Sequence, residues 1–305
     1  MNVRVTGQTQ TNSAVAYLRQ NAAGLAKYQD QVSSGLRVKL PSDDPAQYPA
    51  LARARAAGER LGAYAGTLAA ATTDLNAGVG ALQEATSVLT RAKQIAVEGA
   101  DAGTDQQGAT ALATEVDGLI ARMLSAANTE QDGAYLFGGT ATGSPPFAAD
   151  AAGNPTTITY NGTADRGRGL IGPGQTVDTK YAGAAVFQRP GADVFQTLIG
   201  LRDDLRNPGA GGKSQAINAR LGAIDAALDA VGDTTAEQAS HLAGLDALQG
   251  RMTDLKLTAD TRAGEIEGTD YFDAVVRMRA QENALQATMA VSAKLLQPSL
   301  LDFIR

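Results

Sequence analysis

The sequence predicts a mainly α-helical protein. The expected form is an elongated helical bundle or coiled coil of paired N- and C-terminal helices, with a small β-rich central insertion domain. Three observations carry this. Leucines recur every seven residues at Leu61, Leu68, Leu75, Leu82 and Leu89, the spacing that keeps one seam of a helix against a partner helix. Apolar heptads near both ends flank a middle stretch in which prolines and glycines collect. The 305 residues hold 5% aromatics, no tryptophan and no cysteine, so the aromatic area on which large globular cores lean is scarce.

Each element can be justified in order. The first dozen residues show no hydrophobic period and read as flexible. Val15, Leu18, Ala22, Leu25, Gln29 and Val32 are then spaced by three and four residues, predicting a helix that ends at Ser34-Gly35, where glycine can serve as a C-cap. The connector LRVKLPSDDP follows, with Ser42 or Asp43 as candidate N-caps for the leucine helix. Gly58, Ala65, Thr72, Val79 and Thr86 read as the second row of its seam. The leucine seam is expected to pack mainly within the chain, because chain order supplies antiparallel partners nearby. Glycines inside this helix at Gly58, Gly62 and Gly66 cost about 1 kcal/mol each relative to alanine and suit close helix approach. After the loop DAGTDQQG, Leu112, Val116, Leu119, Met123 and Ala126 mark a third helix.

Between residues 132 and 213 the period changes, and six of the ten prolines lie here. TTITYNGT alternates like a strand and reaches Asn161-Gly162, a candidate hairpin turn; GLIG and TVDT are further strand-like pieces around Gly-Pro-Gly. Helix resumes at Val194, Leu198, Leu201 and Leu205, pauses at NPGAGG, and continues through Ile217, Leu221, Ile224, Leu228 and Val231. A pause is expected at Gly232-Asp233, before a long helix carrying Leu245, Leu248, Met252 and Leu255. A break at Gly268-Thr269-Asp270 precedes a last helix with Val275, Met278, Leu285, Met289 and Leu296 on one seam, and Pro298 ends the pattern. The expected divisions are an N-terminal assembly arm (1–44), two halves of a helical body (45–131 and 214–268), the β-rich outer insertion (132–213) and a C-terminal assembly helix (269–305).

Charge and composition narrow the function classes. The net charge is −6; residues 1–60 are basic and residues 61–269 acidic, which disfavours nucleic acid as a partner. No apolar run is long enough to span a membrane, and the polar start MNVRVTGQTQTNS lacks a signal-peptide core. No disulfide or cysteine-ligated metal is available. Catalytic residues, a cofactor site and a metal site are not expected. Gly167-Arg168-Gly169-Leu170-Ile171-Gly172 matches GxGxxG, but the required helix cannot begin at Pro173-Gly174. His241 is the single histidine, with no evident triad or second ligand. Asp43-Asp44 and Asp203-Asp204 read as caps or solvated carboxylates, since neighbours on a helix do not face each other. Asn161-Gly162-Thr163 fits a glycosylation pattern better explained as a turn. Arg53, Arg55 and Arg60 are either exposed or set to meet an acidic neighbour.

Two groups of residues resemble a known family. Ser34-Gly35-Leu36-Arg37-Val38 with Pro41-Ser42-Asp43-Asp44-Pro45-Ala46 is similar to the N-terminal SSG.RV...DDPA segment of bacterial flagellins and their relatives. Gly133-Ala134-Tyr135-Leu136-Phe137-Gly138-Gly139-Thr140, with Pro145-Pro146-Phe147, Tyr160-Asn161-Gly162 and Val186-Phe187, resembles the branch of that family at the hook–filament junction. The ending from Asp270-Tyr271 to Leu301 is similar to the family's C-terminal helix. The resemblance implies a non-enzymatic structural subunit, exported unfolded through the flagellar type III apparatus and located in the extracellular flagellum. Its implied partners are further copies in a ring, hook-associated protein 1, flagellin and an export chaperone on the C-terminal helix. The implied assembly interface comprises Val15, Leu18, Leu25 and Val32 with Val275, Met278, Leu285, Met289 and Leu296, on arms expected to fold on assembly. A filament flagellin is the alternative, and a soluble coiled-coil signalling protein ranks below it.

Overall fold

The structure is a computed structural model and describes residues 7–101, 105–172, 174–207 and 213–296. In chain order it contains α1 (Gly7–Ser34), α2 (Tyr48–Ala100), α3 (Gln106–Ala127), β1 (Glu130–Gln131), β2 (Ala134–Tyr135), β3 (Phe147–Ala149), β4 (Ile158–Tyr160), β5 (Gly167–Gly172), β6 (Gln175–Lys180), α4 (Gly183–Phe187), β7 (Gln188–Arg189), β8 (Ala192–Asp193), α5 (Val194–Arg206), α6 (Lys213–Glu267) and α7 (Tyr271–Leu296). The mainly α class with a small central β region is what the sequence predicts. Contacts divide the chain into two units, one of residues 1–60 with 255–305 and one of residues 61–254, and the division falls inside both long helices.

The larger unit holds most of the buried apolar residues. Leu68, Leu75, Leu82 and Leu89 are fully buried within it, and Leu61 packs at its edge. The second row of the seam is not the expected one. Ala71, Gly78, Ala85 and Ala92, each three residues after a leucine, are buried, whereas Thr72 and Val79 are half-buried and Thr86 is exposed. Either row is compatible with the spacing; the side on which neighbouring elements lie decides. The chosen row is the smaller, which brings those neighbours close to the α2 backbone.

All five apolar markers of α3 are buried. Asp105 caps its start by accepting from the Gly108 N–H at 2.7 Å, and Asp193 does the same for α5 through Gln196 at 2.8 Å. The sheets are four separate antiparallel pairs, β1–β2, β3–β4, β5–β6 and β7–β8. β4 pairs back to β3, so Asn161-Gly162 is not the expected two-residue hairpin. Asn161 instead donates to the Pro146 carbonyl at 2.7 Å and extends the β3–β4 pairing. Gly167–Gly172 is strand β5 of a hairpin with β6, and no helix opens at its glycines.

Two further differences concern helix ends. α1 begins at Gly7, well before Val15, since polar residues without an apolar period are still adequate helix formers. α6 runs unbroken through Gly232-Asp233. Its buried residues Ile217, Ile224, Val231, Gln238, Leu245 and Met252 recur every seven positions across that point, and this continuous seam outweighs the cost of one glycine, about 1 kcal/mol.

In the smaller unit α1 packs along α7. Hydrogen bonds punctuate the contact: Asn21 Nδ2 donates to Thr288 Oγ1 at 2.9 Å, and Gln281 Nε2 to Asn21 Oδ1 at 2.9 Å. A second, small cluster joins Val38, Leu51 and Ala54 to Ala263, with Tyr48 and Ile266 against it.

Candidate assembly interface

The sequence points to two places, the terminal seams and the two motifs. Leu18, Leu25 and Val32 of α1 and Val275, Met278 and Leu285 of α7 are half-buried. They share the strip that carries Asn21, Gln281 and Thr288, so within the chain these side chains already face the other terminal helix. Val15 and Met289 are exposed, and the side chain of Leu296 lies outside the described residues.

More apolar surface lies off that strip. Of the exposed large apolar side chains, all but Val97 and Leu170 belong to the smaller unit. Phe272 is 82% exposed, Val276 66% and Leu257 65%, with Tyr17, Leu40, Tyr271 and Val291 also past the halfway mark. Phe272 and Val276 are four residues apart and share a face of α7. The sequence reading missed this second face because it sought one apolar seam per helix.

The Ser34–Ala46 motif builds an intrachain clasp. Gly35 adopts φ +71° and its N–H bonds the Gln31 carbonyl at 2.9 Å, a left-handed C-cap that an L-residue would occupy at a cost of about 1–2 kcal/mol. The chain then turns back onto the end of α6. The Arg37 and Val38 N–H groups donate to the Glu267 carbonyl at 2.6 and 3.3 Å, and the Thr269 N–H donates to the Gly35 carbonyl at 3.0 Å. Arg37 Nη2 reaches the Ile266 carbonyl at 2.9 Å while Nη1 pairs with Asp44 at 2.9 Å. Carbonyls that the last turn of a helix leaves without partners are thus satisfied by residues about 230 positions earlier.

The two aspartates divide the remaining work. Asp43 Oδ2 accepts from the Leu40 and Lys39 N–H groups at 2.9 and 3.0 Å, and these bonds hold its carboxyl below the usual range. It closes the connector and does not cap α2. Asp44, lowered chiefly by Arg37, caps the turn before α2 through the Gln47 N–H. Ser34 Oγ donates to the Asp30 carbonyl at 2.6 Å and accepts from the Leu36 N–H. Pro45 lies in the turn that leads into α2. Arg55 pairs with Glu267, Arg53 bonds the Pro49 carbonyl, and Arg60 is exposed.

The Tyr135–Thr140 motif organises the core of the larger unit. Leu136 and Phe137 are buried and Tyr135 half-buried. Phe137, Phe147, Phe187 and Phe195 form one cluster with Tyr160, with ring centroids 5.1–6.1 Å apart. The Tyr160 hydroxyl lies 3.1 Å from the Phe137 carbonyl and 2.9 Å from that of Thr163, and accepts from the Gly183 N–H. A side chain at Gly138 would strike the Ala141 carbonyl, and Gly139 has φ +67° with Thr163 and Asp165 oxygens about its α-carbon. The glycines are there because backbone crosses backbone.

Nothing reactive gathers elsewhere among the described residues. His241 Nδ1 meets the Tyr181 hydroxyl at 3.3 Å, and burial pushes that phenol up to about 12. Asp203 pairs with Arg202 and Asp204 with Arg220, so they form no joint cation site. No group of three or more metal-ligating side chains occurs among the described residues.

Comparison with known proteins bears on the motifs directly. Residues 5–142 match the bacterial flagellin N-terminal helical region. Flagellar hook-associated protein 3 of Escherichia coli K12 is 25% identical over 279 residues, 86% of this chain and 87% of that protein. The protein of that name from Salmonella typhimurium LT2 is 24% identical over 309 residues, covering 94% and 95%. A flagellar hook-associated protein from Vibrio parahaemolyticus shares the fold with a TM-score of 0.67 at 21% identity, over 74% of this chain and all of that one. The resemblance to the bacterial flagellin family, and within it to hook-associated protein 3, holds along the chain.

Proposed function

We propose that this chain, flagellin-like over its N-terminal region and similar along its length to hook-associated protein 3, is a structural subunit of the bacterial flagellum that joins hook to filament. The observation that carries the assembly part is the concentration of exposed apolar side chains on the unit built from both ends of the chain. A unit of this kind is completed by neighbours. Val15, Leu18, Leu25 and Val32 with Val275, Met278, Leu285, Met289 and Leu296 form the paired element that enters the assembly. The outward side chains Tyr17, Phe272, Val276 and Val291 supply area for contacts between copies.

The neighbours are further copies in a ring, hook-associated protein 1 below and flagellin above. Before assembly the same apolar area needs cover, which an export chaperone on α7 supplies, and passage through the flagellar type III apparatus delivers the chain to the flagellum outside the cell. A chain without cysteine cannot cross-link in transit. No catalytic step is assigned: the work is mechanical matching of two polymers.

Immunogold labelling of intact flagella tests this. Gold confined to a narrow band between hook and filament is expected. Gold along the whole filament would make the chain a filament flagellin, and flagella free of gold would remove the assignment.

A further inference from the structure

The long seam of the larger unit has an ambiguity built into its sequence. On α2 the unit Leu-x-x-small repeats at Leu68/Ala71, Leu75/Gly78, Leu82/Ala85 and Leu89/Ala92. On α6 the buried row Ile217, Ile224, Val231, Gln238, Leu245 and Met252 repeats with the same period. Sliding one helix past the other by seven residues would therefore exchange nearly every apolar contact for an equivalent one. Patterning alone does not choose a register, and a sequence that must fold one way needs a feature that penalises the slipped states.

One position breaks the repeat on each helix, and the two breaks meet. Gln238 is the polar member of the α6 row and is completely buried. Gly78 is the glycine among Ala71, Ala85 and Ala92. A methyl group at Gly78 would lie 3.1 Å from Gln238 Oε1 and 3.7 Å from Nε2, tighter than ordinary contact. The native register is marked independently along the seam: Lys93 Nζ pairs with Asp225 at 2.6 Å, and Ile217 lies against Gly99. A slip of one heptad would bring Gln238 onto Ala71 or Ala85, both buried, where the methyl group already fills the space.

We propose that Gln238 seated on Gly78 is a register key, fixing which heptad of α6 meets which heptad of α2 as the chain folds. A buried polar residue in an otherwise apolar heptad row sets register at a cost in stability. Both Gln238 amide atoms lack a hydrogen-bonding protein partner, so the residue is retained against its desolvation cost and its contribution is discrimination between pairings.

The full-length chain offers a clean test because it has no cysteine of its own. Lys93→Cys with Asp225→Cys reports the native register; Lys93→Cys with Asn218→Cys or with Gly232→Cys reports the two one-heptad slips. Each pair is placed in the native background, in Gln238→Leu and in Gly78→Ala, and cross-linked with a short bis-maleimide after refolding from urea. In the native background the Asp225 pair should dominate. Either key variant should raise the yield of at least one slipped pair several-fold at the expense of the native pair, and Gln238→Leu should also melt at higher temperature. Slipped yields at the native-background level in both variants would overturn the proposal. Should Gln238→Leu fail to fold cooperatively, Gly78→Ala, which keeps the amide and only fills its seat, decides alone.

Discussion

The two units solve the same problem with opposite means. The larger unit keeps its apolar side chains inside, with four phenylalanines and the leucine seam in one continuous cluster. The smaller unit has a core little larger than Val38, Leu51, Ala54 and Ala263, half-buries its helix–helix strip and leaves Tyr271, Phe272 and Val276 in solvent. It relies on directional contacts: the Arg37 and Asp43 clasp, the Arg55–Glu267 pair and the amide–hydroxyl bonds between α1 and α7. The difference separates what stabilises the monomer from what is reserved for neighbours. Burial supplies the first; the second requires that burial be left unfinished.

The sharpest test of this division is to damage each side. Phe187→Ala removes a fully buried ring from the aromatic cluster and should cost about 3–5 kcal/mol, read as a drop in the urea midpoint followed by circular dichroism. Leu285→Asp places a charge on the half-buried strip of α7. It should abolish polymerisation while the main thermal transition, which belongs to the larger unit, stays in place; polymers of normal length would break the comparison. Gly35→Ala forces a side chain into the left-handed region and should cost about 1–2 kcal/mol locally. The expected readout is faster amide exchange at residues 264–269, with exchange in α3 unchanged.

The smallest effect is a pH dependence of opposite sign in the two units. Asp43 and Asp44 have depressed pKa values, the first from backbone N–H groups and the second chiefly from Arg37. Their contribution is therefore present above the ordinary carboxylate range near 4 and lost as pH falls through the lower folded values. Asp193, at the start of α5, is raised by burial. Its charge is a cost at neutral pH that is relieved as pH falls through its raised value. Acidification from pH 7 to 3 should loosen residues 35–44 before the start of α5, as seen by residue-resolved amide exchange. Simultaneous loosening of both would contradict the assignment.

Legibility in the sequence followed the range of the interaction. The Gly35 cap, the Asp270 cap and the heptads of α2 and α3 depend on neighbours a few residues away, and each is readable from spacing and residue type. Asp270 Oδ1 accepts from Phe272 and Asp273 N–H groups at 2.9 and 3.2 Å, as its position before the final helix suggests. The second row of the α2 seam was not readable. Ala71 and Thr72, or Ala85 and Thr86, are both small, and only the direction of the neighbours separates them. Gln238 escaped notice because an amide at a heptad position reads as solvent-facing. The role of Arg37 was hidden for a third reason, since its acceptor at Ile266 is 229 residues away. The motif marked the place without revealing that it is a clasp.

That clasp imposes an order of events. The carbonyls at the end of α6 are closed by Arg37 and Val38, so the end of the second long helix has no finished state until the chain's first forty residues are beside it. These two pieces are the most widely separated partners the chain brings together here, and contacts of such long separation form late. In any delivery that runs from one end of the chain to the other, the early arm must wait for almost the whole polypeptide before it can fasten. Until then α7 has no fixed base from which to extend, and closure of this one joint signals that the whole subunit has arrived.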